Sequence, residues 1–196
     1  MRRVIKVPDS EIVRKNLKYI RNNHHNNRKI AAILSKEQKN LCAYTEEFMS
    51  VTDADDIDHF NPTLKDTDAD NYNNWFLVKH KWNKKKSSKW LNYQPILHPS
   101  AIDFEQRIIY IEGHYLTSSE DDIEAQNLID LLQLDEPALA EKRKKYIARI
   151  KKDIKIYEQD HKTYFSDLIS DDSANVFYLR AIKEEFGIDI WEMLKQ

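Results

Sequence analysis

The sequence predicts a mostly helical α+β fold. Only two glycines and five prolines occur among 196 residues, which is too few for a glycine-rich β-protein or a disordered chain. Several segments repeat apolar residues at helical spacing, and a few short runs look like strands. The length suits one compact domain. Within it we expect an N-terminal helical segment (1–41), a central module (42–95) and a C-terminal hairpin and helical region (96–196).

Helices are expected on both sides of the central module. Ser10 is placed to cap a first helix that continues to about Ile20. A turn over 21–27 and a second helix over 28–40 follow. In the C-terminal region, residues 107–118 alternate like a β-hairpin that turns at Glu112 and Gly113. Three helices are predicted after it, over 122–134, over 137–157 and over a segment that Gly187 caps, before a short final helix.

Charge and cysteine content limit the possible classes. A formal net charge of −2 does not by itself indicate a nucleic-acid-binding protein. The single cysteine, Cys42, excludes an internal disulfide and fits a reducing compartment. No apolar run is long enough to span a membrane, and no apolar signal region follows the N-terminal arginines. We therefore expect a cytoplasmic protein without a membrane partner.

The central module contains the residues that indicate a catalytic site. The run "DIDHF" ends a predicted strand in Asp58 and His59, and "NYNNWFLVKHKW" places Asn74 just before a second strand. "HKWNKKK" then begins a basic helix that carries Asn83. The order strand, loop, strand and helix is the ββα-metal arrangement.

These residue types suit the hydrolysis of a phosphodiester. The reaction needs a deprotonated water near the phosphorus and a cation on the developing charge. A neutral histidine can accept the proton, and carboxylate and amide oxygens bind a hard divalent ion. Adjacent strand residues point to opposite faces. Asp58 and His59 can therefore serve one site only if the strand twists or ends there, and Pro62 favours an end.

The same residues resemble the HNH endonuclease signature, carried by "DHFNP" and "NNWFLVKHKWNKKK". The Asp-His pair is similar to the HNH domains of CRISPR effector nucleases and of a phage junction resolvase. The resemblance implies that Asp58 and Asn74 bind Mg²⁺ (or Mn²⁺) and that His59 is the general base. It makes Asn83 either a third ligand or the residue that orients the site.

Other segments, among them "MRRVIKVP", "LCAYTEE" and "HPSAIDFEQRIIYIEGHY", resemble the PtuB family of bacterial HNH subunits. That family belongs to Septu and some retron-associated anti-phage systems. The resemblance covers about the first three quarters of the chain. It implies an effector nuclease that acts on DNA or a host RNA with an ABC/SMC-like ATPase, PtuA, and in retron systems beside an RNA–DNA hybrid.

The chain departs from the pattern of this family at the residues that would bind a structural zinc. HNH proteins of this group commonly hold a structural zinc with two Cys-x-x-Cys pairs. At those positions this chain has Cys42 with Thr45, then Lys79 with Trp82. Because one thiolate cannot complete a tetrahedral site, we expect no structural zinc and expect packing to replace it.

A basic cluster beside the expected phosphodiesterase site predicts phosphate contacts. Its members are Lys79, His80, Lys84, Lys85, Lys86 and Lys89. Residues 141–155 fit either a phosphate-binding surface or an ordinary amphipathic helix. Asp66, Asp68 and Asp70 alternate like calcium ligands, but the loop lacks the glycine and glutamate of such a site.

Two other function classes stay open. The protein could be a non-catalytic nucleic-acid- or ATPase-binding subunit with a decayed HNH module, which the missing zinc ligands favour. It could also be a toxin-like nuclease that acts alone. The complete set of Asp-His, Asn and Asn favours an enzyme that works with the ATPase. We expect the ATPase to contact the apolar positions from Tyr146 to Tyr157 and the C-terminal "IDIWEMLKQ".

Overall fold

The computed structural model describes residues 1–194, apart from the side chains of Lys85, Ser87 and Ser88. It confirms an α+β fold, about half helical, with two separate two-stranded antiparallel sheets. The strands are β1 (Asp55–His59), β2 (Trp75–Lys79), β3 (Ile108–Ile111) and β4 (His114–Thr117). The helices are α1 (Glu11–Arg14), α2 (His24–Glu37), α3 (His80–Lys86), α4 (Phe104–Arg107), α5 (Ile123–Leu132), α6 (Pro137–Tyr157), α7 (His161–Asp172) and α8 (Leu179–Phe186).

The central module forms as the alternation and the lysine run predict. Strand β1 pairs with β2 so that Asp55 faces Lys79 and His59 faces Trp75. Helix α3 begins directly after β2, at His80. Its side chains contact the face of β1 that carries Asp56 and Asp58. The order strand, strand, helix is therefore present, with His59 at the end of β1.

The second hairpin also agrees with the sequence, and it packs on α6. Its turn residues Glu112 and Gly113 have φ of 47° and 96°, as a tight two-residue turn requires. A Cβ at position 113 would lie 2.5 Å from the carbonyl oxygen of Ala140. Only glycine fits this close approach of the turn to α6. Asp122 caps α5 by accepting a hydrogen bond from the backbone of Ala125.

The N-terminal helices differ from the prediction. Ser10 caps α1 as expected, but the helix has only four residues because Asn16 adopts a left-handed φ of 48°. Helix α2 begins at His24, capped by Asn23, so the turn is shorter than predicted. Helix α7 was not predicted, because its apolar residues do not form a strong stripe.

Half of the apolar stripe that was expected to bind the ATPase is buried. Tyr146, Ile147 and Ile150 are buried in the hydrophobic core of the protein itself. Only the end of the stripe is available, since Ile156 is 60% and Tyr157 67% exposed. Contact of this stripe with an ATPase stays a prediction. Within residues 1–194, no helix is both long and apolar enough to cross a membrane.

Candidate active site

His59 ends β1 and faces an aspartate across the loop that leads to β2. Its Nε2 lies 3.1 Å from Oδ2 of Asp70, and both side chains are about 5% exposed. The contact is close, although it is not aligned as a hydrogen bond. Burial lowers the pKa of His59 below its ordinary value, while the Asp70 carboxylate opposes that shift. Burial therefore favours the neutral imidazole.

Asp70 is held in place by two donors. Its Oδ1 accepts hydrogen bonds from Nδ2 of Asn74 at 2.9 Å and from Nε1 of Trp75 at 2.8 Å. Trp75 is also the residue that pairs with His59 across the sheet. The partner of His59 is thus fixed by Asn74, just before β2, and by Trp75, the first residue of β2. The sequence shows Asp70 only as one of three alternating aspartates that do not complete a calcium loop, and it does not predict this role.

Asn74 connects the two ends of the same loop. Its Oδ1 accepts a hydrogen bond from the backbone N–H of Asn61 at 2.7 Å, and its Nδ2 donates to the carbonyl of Asn61 at 3.1 Å. The amide is buried, with 6% of the residue exposed. In this arrangement, Asn74 positions the loop and Asp70.

Asp58 points to the opposite face of β1, as alternation requires. Nζ of Lys86 lies 2.7 Å from each of its carboxylate oxygens and donates to the carbonyls of His59 and Phe60. The hydroxyl of Tyr44 also donates to Asp58. The Asp58 and Lys86 side chains are 4% and 2% exposed. Burial lowers the pKa of Lys86, although Asp58 opposes that shift. Lys86 is therefore a buried ion-pair partner and not a phosphate contact on the surface.

Asn83 and His80 bind a different aspartate. Nδ2 of Asn83 donates to Oδ2 of Asp56 at 2.9 Å, and Nδ1 of His80 lies 2.8 Å from the same oxygen. Asp56 shares a face of β1 with Asp58. His80 is 57% exposed, so this group lies at the surface.

The three expected metal ligands therefore belong to three hydrogen-bonded groups. Asp58 binds Lys86, Asn74 binds Asp70 and the backbone of Asn61, and Asn83 binds Asp56. Among the residues whose side chains are described, no cluster of three or more His, Cys, Asp or Glu could hold a metal ion. In this arrangement the three expected ligands have separate hydrogen-bond partners, and their binding of one metal ion stays a prediction.

The remaining predicted phosphate contacts are distributed around α3. Lys79 lies at the end of β2 and pairs with Asp53 at 3.2 Å. Lys84 and Lys89 are exposed. The predicted contact at Lys85 lies outside the described side chains.

Two of the four expected zinc-ligand positions are in direct contact. Sγ of Cys42 accepts a hydrogen bond from the backbone N–H of Lys79 at 3.5 Å. Cys42, Thr45 and Trp82 are all buried.

Comparisons with known proteins add no relative. No protein-family model, no curated protein and no solved structure matches the chain.

Proposed function

We propose that the protein is an HNH-type, metal-dependent endonuclease that hydrolyses phosphodiester bonds of DNA or RNA. The observation that supports this most is the pairing of His59 with Asp70 where β1 ends and β2 begins. Burial lowers the pKa of His59 and so favours its neutral form. A general base at pH 7 requires a neutral imidazole within a fixed environment.

In this proposal, His59 takes the proton of the attacking water. Asp70 lies beside Nε2 and favours the tautomer in which Nε2 carries a proton, which leaves Nδ1 as the basic nitrogen. The water oxygen forms a bond to phosphorus, and the bond from phosphorus to the leaving oxygen breaks. Asn74 acts as a positioning residue, because its amide holds Asp70 and the backbone of Asn61.

A divalent ion, Mg²⁺ or Mn²⁺, would supply positive charge at the phosphate. Asp58, Asn74 and Asn83 stay the proposed ligands. Their present hydrogen bonds do not converge on one position. Asp58 in particular can bind the ion only if the ion displaces the ammonium group of Lys86.

The proposed biological role follows from the resemblance to PtuB. The protein would be the effector subunit of an anti-phage complex with a PtuA-like ABC/SMC-type ATPase, beside a retron RNA–DNA hybrid where the system contains one. Ile156 and Tyr157 at the end of α6 are exposed apolar residues that such a partner could cover.

A non-catalytic nucleic-acid- or ATPase-binding subunit is the second candidate. The ion pair between Asp58 and Lys86 favours it, because both carboxylate oxygens already contact an ammonium group. A decayed module would keep such a pair for stability and would have no need to release it.

The test is a cleavage assay with the purified protein, with and without an ATPase encoded beside it. The substrates are end-labelled single-stranded DNA, duplex DNA and RNA, each with Mg²⁺, with Mn²⁺ or with a chelator. The proposal expects metal-dependent cleavage of at least one substrate. Absence of cleavage under every condition, together with retained nucleic-acid or ATPase binding, would select the second candidate.

A further inference from the structure

A basic groove lies beside α6, away from His59. It has a volume of about 480 Å³. The cations among its described lining residues are Lys79, Lys142, Lys145 and Arg149. Glu47 is the only acid among those lining residues. The groove therefore presents a net positive surface on a chain whose net charge is negative.

Aromatic residues form the floor of this groove, namely Phe48, Tyr146, Phe177 and Tyr178. The rings of Tyr146 and Phe177 are stacked, with centroids 4.2 Å apart and planes at 29°. The Tyr146 hydroxyl donates to the carbonyl of Asn175 at 3.0 Å, which fixes the segment that follows α7. The floor is thus rigid and apolar, whereas the rim is cationic.

The rim cations have partners that a phosphate can replace. Lys145 lies 3.3 Å from Glu141 and Arg149 lies 3.8 Å from Asp153. The two cationic side chains are 75% and 63% exposed. Ion pairs this exposed are weak and are screened by salt. Such side chains are free to turn toward a bound anion.

The groove is connected to the candidate active site through β2. Lys79 ends β2 in the groove, and Trp75 begins it opposite His59. At about 3.3 Å per residue, the two ends of this strand are roughly 13 Å apart. The groove therefore lies one strand length from the residue that faces His59.

We propose that this groove binds single-stranded nucleic acid, with its phosphates on the cations and an unpaired base against the aromatic floor. Cationic rims over aromatic floors are the composition that single strands bind, because every base has a face that can stack. An acidic protein segment would form ion pairs with the cations, but its carboxylates would not stack on the aromatic floor. The inference deepens the proposed nuclease function and rests on it, since it names the form of substrate that the protein holds.

The experiment measures binding without cleavage. The full chain carrying His59→Ala is titrated, with a chelator present, into a fluorescent 20-nucleotide single strand, the matching duplex and poly-glutamate at several salt concentrations. The groove variant is Lys145→Gln with Arg149→Gln. The control variant is Lys144→Gln with Lys151→Gln, which removes two cations of the same helix that lie toward the hairpin and α8.

We expect tighter binding of the single strand than of the duplex. Each phosphate contact removed should reduce the slope of log K against log salt by about 0.7, or roughly 1.4 for the groove variant. The control variant should keep the original slope. A third variant, Phe48→Leu, should weaken single-strand binding about ten-fold without changing the slope, because it removes stacking alone.

Three results would overturn the inference. One is an equal loss of slope in the groove and control variants. Another is duplex binding as tight as single-strand binding. The third is binding of poly-glutamate without binding of nucleic acid, which would assign the groove to an acidic protein partner. Because no metal is present, the outcome is separate from whether the protein cleaves anything.

Discussion

Nζ of Lys86 lies 2.7 Å from both carboxylate oxygens of Asp58, and the two side chains are almost completely buried. This ion pair fixes α3 against β1, because Lys86 belongs to the helix and Asp58 to the strand. The same ammonium group donates to two backbone carbonyls at the end of β1. It thus places a buried cation at the end of β1.

Lys86→Met should strongly destabilise the protein, because it leaves the Asp58 carboxylate buried without a cation. Breaking one side of a buried pair typically costs about 3–5 kcal/mol in the free energy of unfolding. Urea unfolding measures the loss, and Lys84→Met, an exposed lysine of the same helix, is the control. The double variant Asp58→Leu/Lys86→Met should recover much of the stability. A Lys86→Met protein as stable as the control would contradict the ion pair.

Stability should fall in acid because of His59. Burial lowers the pKa of folded His59 below its ordinary 6.5. The unfolded chain therefore binds a proton that the folded chain rejects as the pH falls below about 6.5. The free energy of unfolding should be higher at pH 7.5 than at pH 5.5.

The measurement is urea unfolding at both pH values for the parent protein and for His59→Gln. The variant should lose this part of the pH dependence. His114→Gln, which removes the exposed partner of Asp135, serves as the control. An unchanged dependence in His59→Gln would show that His59 is not held neutral by burial.

Metal binding should depend on Asp58 if the proposed ligands are correct. Calorimetry with Mn²⁺ should show weaker binding in Asp58→Asn and in Asn74→Ala than in His59→Ala. Asp135→Asn, which alters an aspartate beside another histidine, should bind like the parent protein. Equal Mn²⁺ affinity in all four variants would remove Asp58 and Asn74 from the ligand set.

Zinc should not be required for stability. Cys42 is the single cysteine of the chain, and its sulfur accepts a hydrogen bond from the backbone N–H of Lys79. We expect an unchanged melting temperature after treatment with a strong chelator. Elemental analysis of protein purified without added metal should find no zinc. Stoichiometric zinc, with unfolding on its removal, would show that other residues complete a site.

The sequence predicted the order of elements around the site better than the contacts within it. The strands β1 and β2, the start of α3 and the glycine turn follow from alternation, charge and backbone conformation, which are local properties. The partners of Asp58 and His59 are not local. Lys86 is 28 residues from Asp58, and nothing in a run of lysines tells which one the fold buries.

Asp70 was missed for a related reason. Its role depends on the loop between β1 and β2 returning to the pair of His59 and Trp75. One indication of this contact was present in the sequence. Asp70 lies only five residues before Trp75, and it accepts a hydrogen bond from the indole N–H of Trp75. The short α1 was missed because the left-handed conformation of Asn16 interrupts an otherwise helical pattern.

The central claim is that His59 is the general base of a nuclease. Its most direct test is the single-turnover cleavage rate of His59→Ala on a substrate that the parent protein cuts, with His114→Ala as the control for loss of an aspartate-paired histidine. We expect a loss of about 10²–10⁴-fold in His59→Ala, with folding and nucleic-acid binding retained, and a parental rate in His114→Ala. Cleavage by His59→Ala at the parental rate would contradict the account.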